Sequence, residues 1–395
     1  MKKIVVLLFL VIVFCSEKKA DCQKFGDLTT LKFSVSEAPE WTALLKRSSG
    51  WFGADGIYTI PLNGKAYKQV TRKDKVLFIF SDSMIGEIED GKLLPGSKMI
   101  HNSYAILDGP QPDKNKIKFY WNTNKKGNPE SVFIPKTQQT KPNDFFWLGA
   151  GFVNQDDNNS INIFGYRIQT FGTGAFDFKE QGNTLIRIKE CHLSDSTVQT
   201  QMDTPFFLED NKKGGGGSFG AGFYVNTKQA CAPVPDGYIY IYGVAGRAKN
   251  LLVSRVLPKE FNNYKKWTFW DGANWNSDIK KSVNITDSVS NELSLSPLSD
   301  GRYALIFQIN GMSTIIGLRI GKTPYGPFGP VIKIWDCKKD MEGKDFFVYC
   351  AKGHPALSKP GELLITYNMN SFNFFKDLGK YPNLYRPRFI RIKFE

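Results

Sequence analysis

The chain is poor in histidine, with 3 in 395 residues, and none of its 6 cysteines stands in a CxxC pair with histidine nearby. Zinc sites of the common spacing are thereby excluded, and no cofactor is expected. No long stretch keeps apolar residues at the helical period, which excludes a helical fold. The glycine run Gly214–Gly217 lacks the Lys-Ser/Thr ending of a phosphate loop, and no GxSxG elbow occurs. The formal net charge is +14, or +12 without Lys2 and Lys3. Its positive residues (Lys65, Lys68, Lys125, Lys126, Lys212, Lys213, Lys280 and Lys281 among them) are scattered rather than gathered in one run. They read as a solvated surface, and no nucleic-acid partner is expected.

What is abundant is aromatic: 31 Phe, 16 Tyr and 8 Trp, with 36 Gly and 20 Pro spread along the chain. That mixture suits many short strands joined by turns. Five segments repeat one plan, a Gly-rich or polar start, a first strand, a turn and a second strand. They open at Trp51, at Phe145 (FFWLGAGFV), at Phe219 (FGAGFYVN), at Asn291 (NELSLSPLSDGRYALIFQIN) and at Phe346 (FFVYCAKGHPALSKPGELLITYNMN). In the second unit, INIFGYRI, TLIRIKE and TPFFLE supply the remaining strands. Five such four-stranded units predict an all-β five-bladed β-propeller in one domain, residues 25–395. Leu31 to Val35 is expected to join the last unit's terminal strand and close the ring. A pair of β-sandwiches is the competing architecture.

Residues 1–14 have the layout of an export signal: two lysines, then eleven apolar residues from Ile4 to Phe14, too short to span a bilayer comfortably. Cys15 follows directly, as in a lipoprotein signal, although Phe14 stands where a small residue is usual. Residues 15–24 then form a tether. The expectation is a monomeric cell-envelope lipoprotein, membrane-anchored through lipid on Cys15, or else a secreted protein. Export permits disulfides, and Cys337 with Cys350 is the first pairing expected, Cys191 with Cys231 the next.

Within the first unit, Ile57 to Leu62 and Val76 to Phe80 predict an antiparallel hairpin, which places Asp55 and Asp82 at its open end. Asp-Gly and Ser-Asp-Ser are also ordinary turn chemistry. If each unit starts near a central channel, one face further collects His101, Asn102, Trp147, Tyr166, Arg167, Tyr242, Arg247, Glu292, Gln308, His354, Tyr367 and Asn370. Carboxylates with aromatic platforms are the residue types of glycan cleavage, one acid protonating the leaving oxygen and another carboxylate attacking or activating water. Asn102, Arg247, His354, Tyr367, Asn370 and Trp147 are the candidates for contacting a polysaccharide or oligosaccharide. A glycan-binding protein without hydrolysis would use the same face.

The runs GADGIYTIPL, LFIFSDSMIGEI, HNSYAIL, DGYIYIYGVAGRAKNLLVSRV, WTFWDGANW, TPYGPF and GHPALSKPGELLITYNMN resemble secreted bacterial families known as domains of unknown function. One related family comprises endo-D-arabinanases. The resemblance, from Trp51 to Arg391, implies a five-bladed propeller and glycoside hydrolysis, with a furanosidic, arabinan-type substrate in view. By matched position it implies Asp55 as base or nucleophile, Asp82 as the orienting or tuning group and Glu292 as acid, the first two being exchangeable.

Overall fold

A computed structural model describes residues 27–172, 174, 176–189, 193, 199–209 and 215–395. The export signal, the tether, Cys15 and Cys191 lie outside the described residues. Among those described, no helix is long and apolar enough to cross a membrane.

Five antiparallel sheets follow one another along the chain. The first runs Tyr58–Pro61, Lys75–Phe80, Ser103–Asp108, Ile117–Tyr120. The second runs Phe145–Asn154, Ser160–Thr170, Phe178–Ile188, Thr200–Asp203. The third is built on Gly217–Val225, Ile239–Ala245, Asn250–Val256 and Thr268–Trp270. The fourth runs Leu293–Pro297, Tyr303–Gln308, Ile315–Gly321, Ile332–Asp336. The fifth takes Phe346–Gly353, Glu362–Ser371 and Arg388–Phe394, and its outermost strand is Phe33–Glu37, from the other end of the chain.

Each first strand is an inner strand packed against the inner strand of the next sheet, and the short turn Pro355–Leu357 after the fifth returns to Tyr58–Pro61. Strands buried on both faces explain the unbroken apolar runs. Along Lys75–Phe80, Val76, Phe78 and Phe80 enter a core shared with the fifth sheet, while Leu77 and Ile79 enter one shared with the second. Three more cores fill the spaces between the second and third, third and fourth, and fourth and fifth sheets. Burial is therefore spread over five wedges.

The inner strands crowd together through small residues and β-bulges. The second, third and fifth shift register at Leu148/Gly151, Phe219/Gly222 and Tyr349/Lys352. Gly220 has φ of 112°, and a Cβ there would meet the Phe164 ring at 2.6 Å, so only glycine fits.

The expected strands of the first, third, fourth and fifth units are present, with Phe33–Glu37 pairing Arg388–Phe394. Three expectations need correction. TPFFLE does not complete the second sheet: Thr200–Asp203 does, and Phe207–Leu208 pairs instead with the third sheet's inner strand. A small separate sheet, Ser49–Ala54 against Ser83–Glu89, flanks the opening hairpin and was not anticipated. Cys337 and Cys350 are both free thiols, as is Cys231. Cys337 is buried in the core between the fourth and fifth sheets, whereas Cys350 sits in the fifth inner strand's bulge at φ of 64°, its sulfur directed to Glu292.

Candidate functional site

The opening hairpin sets the first two carboxylates. Tyr58–Pro61 pairs with Lys75–Phe80, and beyond the last ladder pair the Asp55 N–H donates to the Asp82 carbonyl at 3.1 Å, with the Ser81 N–H donating to the Asp55 carbonyl at 3.0 Å. The two aspartates thus sit side by side at the leading end of the first inner strand. Glu292, which precedes the fourth inner strand, is contacted by Cys350, the residue after the Tyr349 that bonds Asp55.

Asp55 is half-buried. Tyr349 donates to its Oδ2 at 2.6 Å, and Oδ1 makes no hydrogen bond of ordinary length, although the Tyr385 hydroxyl lies beside the carboxyl. Loss of water first, then the neighbouring charges of Asp82 and Glu292, push its pKa up to about 8 against the opposing Tyr349 bond. Asp55 therefore favours its protonated form more than an ordinary aspartate does.

Asp82 is placed differently. The Trp147 indole N–H donates to its Oδ1 at 3.1 Å, and His101 Nδ1 lies 2.9 Å from the same oxygen. Both neighbours are on Oδ1, and the side chain keeps 16% exposure.

Glu292 has both oxygens engaged. The Cys350 thiol lies 3.2 Å from Oε1, and the Lys352 ammonium pairs with Oε2. Lys352 is only 1% exposed, also donates to the Cys350 carbonyl at 3.0 Å, and lies 4.5 Å over the Tyr58 ring. Consecutive residues of one bulge, Tyr349 and Cys350, therefore hold two different carboxylates. Burial, then the Glu292 charge, raises the Cys350 thiol well above its usual range, so it serves as a neutral donor.

A fourth carboxyl, Glu180, escapes the sequence reading. It stands opposite Ile168 in the second sheet, burial pushes its pKa up to about 8, and its charge reaches Tyr166, whose ring Glu292 also influences. The signal was hidden because Phe178–Ile188 begins six residues before the apolar run TLIRIKE that marks it in sequence.

The remaining candidates divide. Trp147 is at the site through Asp82. Asn370 is one bond removed, donating to the Tyr349 hydroxyl at 3.2 Å. Four are elsewhere or committed. Asn102 is a buried brace, donating to the Phe133 and Phe146 carbonyls and accepting from the Phe133 N–H. Arg247 is exposed in the turn before Asn250–Val256. Tyr367 is buried with its hydroxyl on Asp340. His354 is buried with Thr59 Oγ1 at 2.8 Å from Nδ1 and Thr366 Oγ1 at 2.7 Å from Nε2, and burial drives its pKa down to about 3. Arg167 is likewise structural, paired with Asp203 at 2.7 Å and Asp144 at 3.4 Å. Among the described residues, no group of three or more His, Cys, Asp or Glu is arranged to hold a metal ion.

Beyond the Lys352 and Tyr58 layer lies a cavity of about 90 Å³ lined by the trailing ends of the inner strands, including Pro61, Val153, Val225 and Gly353. His354 belongs to this end.

Comparison with curated proteins yields no match. Among solved structures, a presumed hydrolase from Bacteroides ovatus is similar over 93% of this chain and 92% of that one, at 20% identity and a TM-score of 0.68. The two share a fold. An exo-β-1,3-galactanase from Phanerochaete chrysosporium, solved with β-1,3-galactotriose, aligns with 86% of this chain and 60% of its own at 9% identity (TM-score 0.49). A xylan β-1,4-xylosidase from Bacillus halodurans aligns with 82% and 50% at 10% identity (TM-score 0.44). The family described as a domain of unknown function, DUF5005, matches residues 39–394, and the chain belongs to that family.

Proposed function

We propose that this protein is a glycoside hydrolase built as a five-bladed β-propeller, with Asp55 and Asp82 as its acting carboxyls and Glu292 as the group that orients the substrate. One observation carries the reading. At one end of the inner strands Asp55, a carboxyl whose pKa is raised, adjoins Asp82, a carboxylate held through Oδ1 by Trp147 and His101. Paired carboxyls in unlike surroundings are what acid-assisted glycosidic cleavage requires.

The roles follow from the surroundings and differ from those the sequence resemblance implies. Asp55, with its raised pKa, suits protonation of the leaving oxygen. Asp82, steadied through Oδ1 by Trp147 and His101, suits attack on the anomeric carbon or activation of water. Glu292, clamped by Lys352 and Cys350, suits a hydrogen bond to a sugar hydroxyl. A furanosidic, arabinan-type substrate follows from the family resemblance, and lipid attachment at Cys15 with a place in the cell envelope from the leader. Five sheets with packed inner strands support the propeller.

The test is release of oligosaccharides from a polysaccharide panel including arabinan. Asp55→Asn and Asp82→Asn should each abolish release while the fold is retained. Release at the wild-type rate by either variant would overturn the assignment, and glycan binding by wild type without release would favour a non-catalytic binding protein.

A further inference from the structure

Of the eight exposed large apolar side chains among the described residues, four fall on two short segments: Phe171 and Phe176 on the turn of the second sheet, Phe372 and Phe375 after Glu362–Ser371 of the fifth. The segments meet. Phe176, 48% exposed, reaches Phe372 at 5.8 Å edge-to-face and the half-buried Phe347 at 6.4 Å, and Phe347 lies 4.8 Å from Phe372. The second and fifth sheets flank the first, which bears Asp55 and Asp82, so these rings form an arch beside the two aspartates.

Both feet of the arch end on the site. On one side Phe176 adjoins Phe178 at 6.4 Å, and Phe178 takes Trp147 edge-on at 4.6 Å, whose N–H is on Asp82. On the other side Phe347 lies 5.4 Å from Tyr349, whose hydroxyl is on Asp55. An exposed apolar surface continuous with polar chemistry at both ends calls for a ligand with apolar faces and polar edges. A sugar ring has that form: its C–H face packs on aromatic rings while its hydroxyls project sideways.

The charge of the ligand is constrained too. Asp55, Asp82 and Glu292 lie at this end. The Asp82 carboxylate would repel an acidic sugar, and the buried ammonium at this end, Lys352, is already paired with Glu292. The geometry points to the Phe176, Phe347 and Phe372 arch as the stacking wall for an uncharged sugar ring next to the bond over Asp55 and Asp82. This assignment rests on the hydrolase reading for the position of the bond, but not for the stacking itself.

The experiment uses the full chain carrying Asp55→Asn, which keeps the walls intact, titrated calorimetrically with arabino-, galacto- and xylo-oligosaccharides and with an oligogalacturonide. Binding of an uncharged oligosaccharide is expected, and Phe176→Ala or Phe372→Ala should each weaken Kd about ten-fold, the value of an aromatic contact near 1.4 kcal/mol. Phe176→Trp should restore it, and Val234→Ala, an exposed apolar change elsewhere, should leave it alone. In the wild-type background the same Phe→Ala changes should act mainly on KM. Unchanged Kd in both Phe variants, preference for the oligogalacturonide, or no binding at all would overturn the wall. Phe-dependent binding with no hydrolysis by wild type would overturn the hydrolase reading and leave the wall standing. Hydrolysis that is indifferent to both phenylalanines would do the reverse.

Discussion

The two ends of the inner strands hold titratable groups under opposite regimes. At the trailing end His354 is buried with a threonine hydroxyl at each ring nitrogen, and its proton affinity falls to about 3. At the leading end Asp55 is half-buried, with the Tyr349 and Tyr385 hydroxyls at its carboxyl; loss of water, then two like charges, raise its pKa to about 8. Burial alone therefore does not mark a functional residue. A fully satisfied buried group is architecture, whereas one pressed by like charges is poised for a ligand.

The contrast breaks most visibly at Asp55. On the proposed roles Asp55→Asn removes the proton donor and should lower kcat/KM on any hydrolysed glycan by roughly 10²–10⁴-fold, as loss of a general acid does. Steady-state kinetics would show it, with weaker losses on substrates having good leaving groups. In wild type the same group sets an alkaline limb: kcat/KM should fall as pH rises through about 8, and an activity–pH profile without that limb would assign the proton elsewhere.

Stability should mirror the comparison. For Asp55 and Glu180 the folded pKa is raised, so their contribution is complete at low pH and is lost as pH climbs from the carboxylate range through about 8. For His354 the folded pKa is lowered, so its contribution is present above about 6.5 and is lost as pH falls towards about 3. Asp55→Asn should flatten the alkaline side of a melting-temperature profile, and His354→Ala the acid side. His354→Ala should also cost about 2–4 kcal/mol in denaturant unfolding, from a cavity and two stranded hydroxyls, yet leave kcat/KM within about three-fold. A hundred-fold loss of activity there would erase the distinction between the ends.

Lys352 stands between them. Lys352→Met should cost about 2–3 kcal/mol, below the usual range for breaking a buried pair because Glu292 keeps 15% exposure. Lys352→Met combined with Glu292→Gln should recover part of that loss in a double-mutant cycle. The smallest effect is expected at Cys350→Ala, under about 1 kcal/mol for one thiol hydrogen bond. Cys337→Ser should leave the response of melting to reductant unchanged, since Cys337 and Cys350 are free thiols.

Much of the fold could be read from the chain because period-2 patterning and turn residues mark strands locally. The opening hairpin and its paired aspartates depend on one turn and one register, and both were legible. Glu292 is singled out by its position at the head of a unit, and the structure sets it against Cys350 and Lys352. What escaped depends on bulges, which flip the face of every following residue and leave little trace in composition. The bulge at Tyr349/Lys352 turned a supposed disulfide partner towards a carboxylate and brought in Lys352, while Tyr367, on the paired strand, went to the core. Arg247 shows a different failure. A charged residue just past a strand is as readily a solvated turn as a channel wall, and pattern alone does not separate the two.

The adjacency of Tyr349 and Cys350 has a consequence for how this chain tolerates change in length. One bulge sets the distance from the strand to Asp55 and to Glu292 together, so inserting or deleting a single residue within Phe346–Gly353 would misplace both at once. The neighbouring segment Met341–Asp345 carries no such double duty. Length variation that the surface segment absorbs would, a few residues later, dismantle the site in one step.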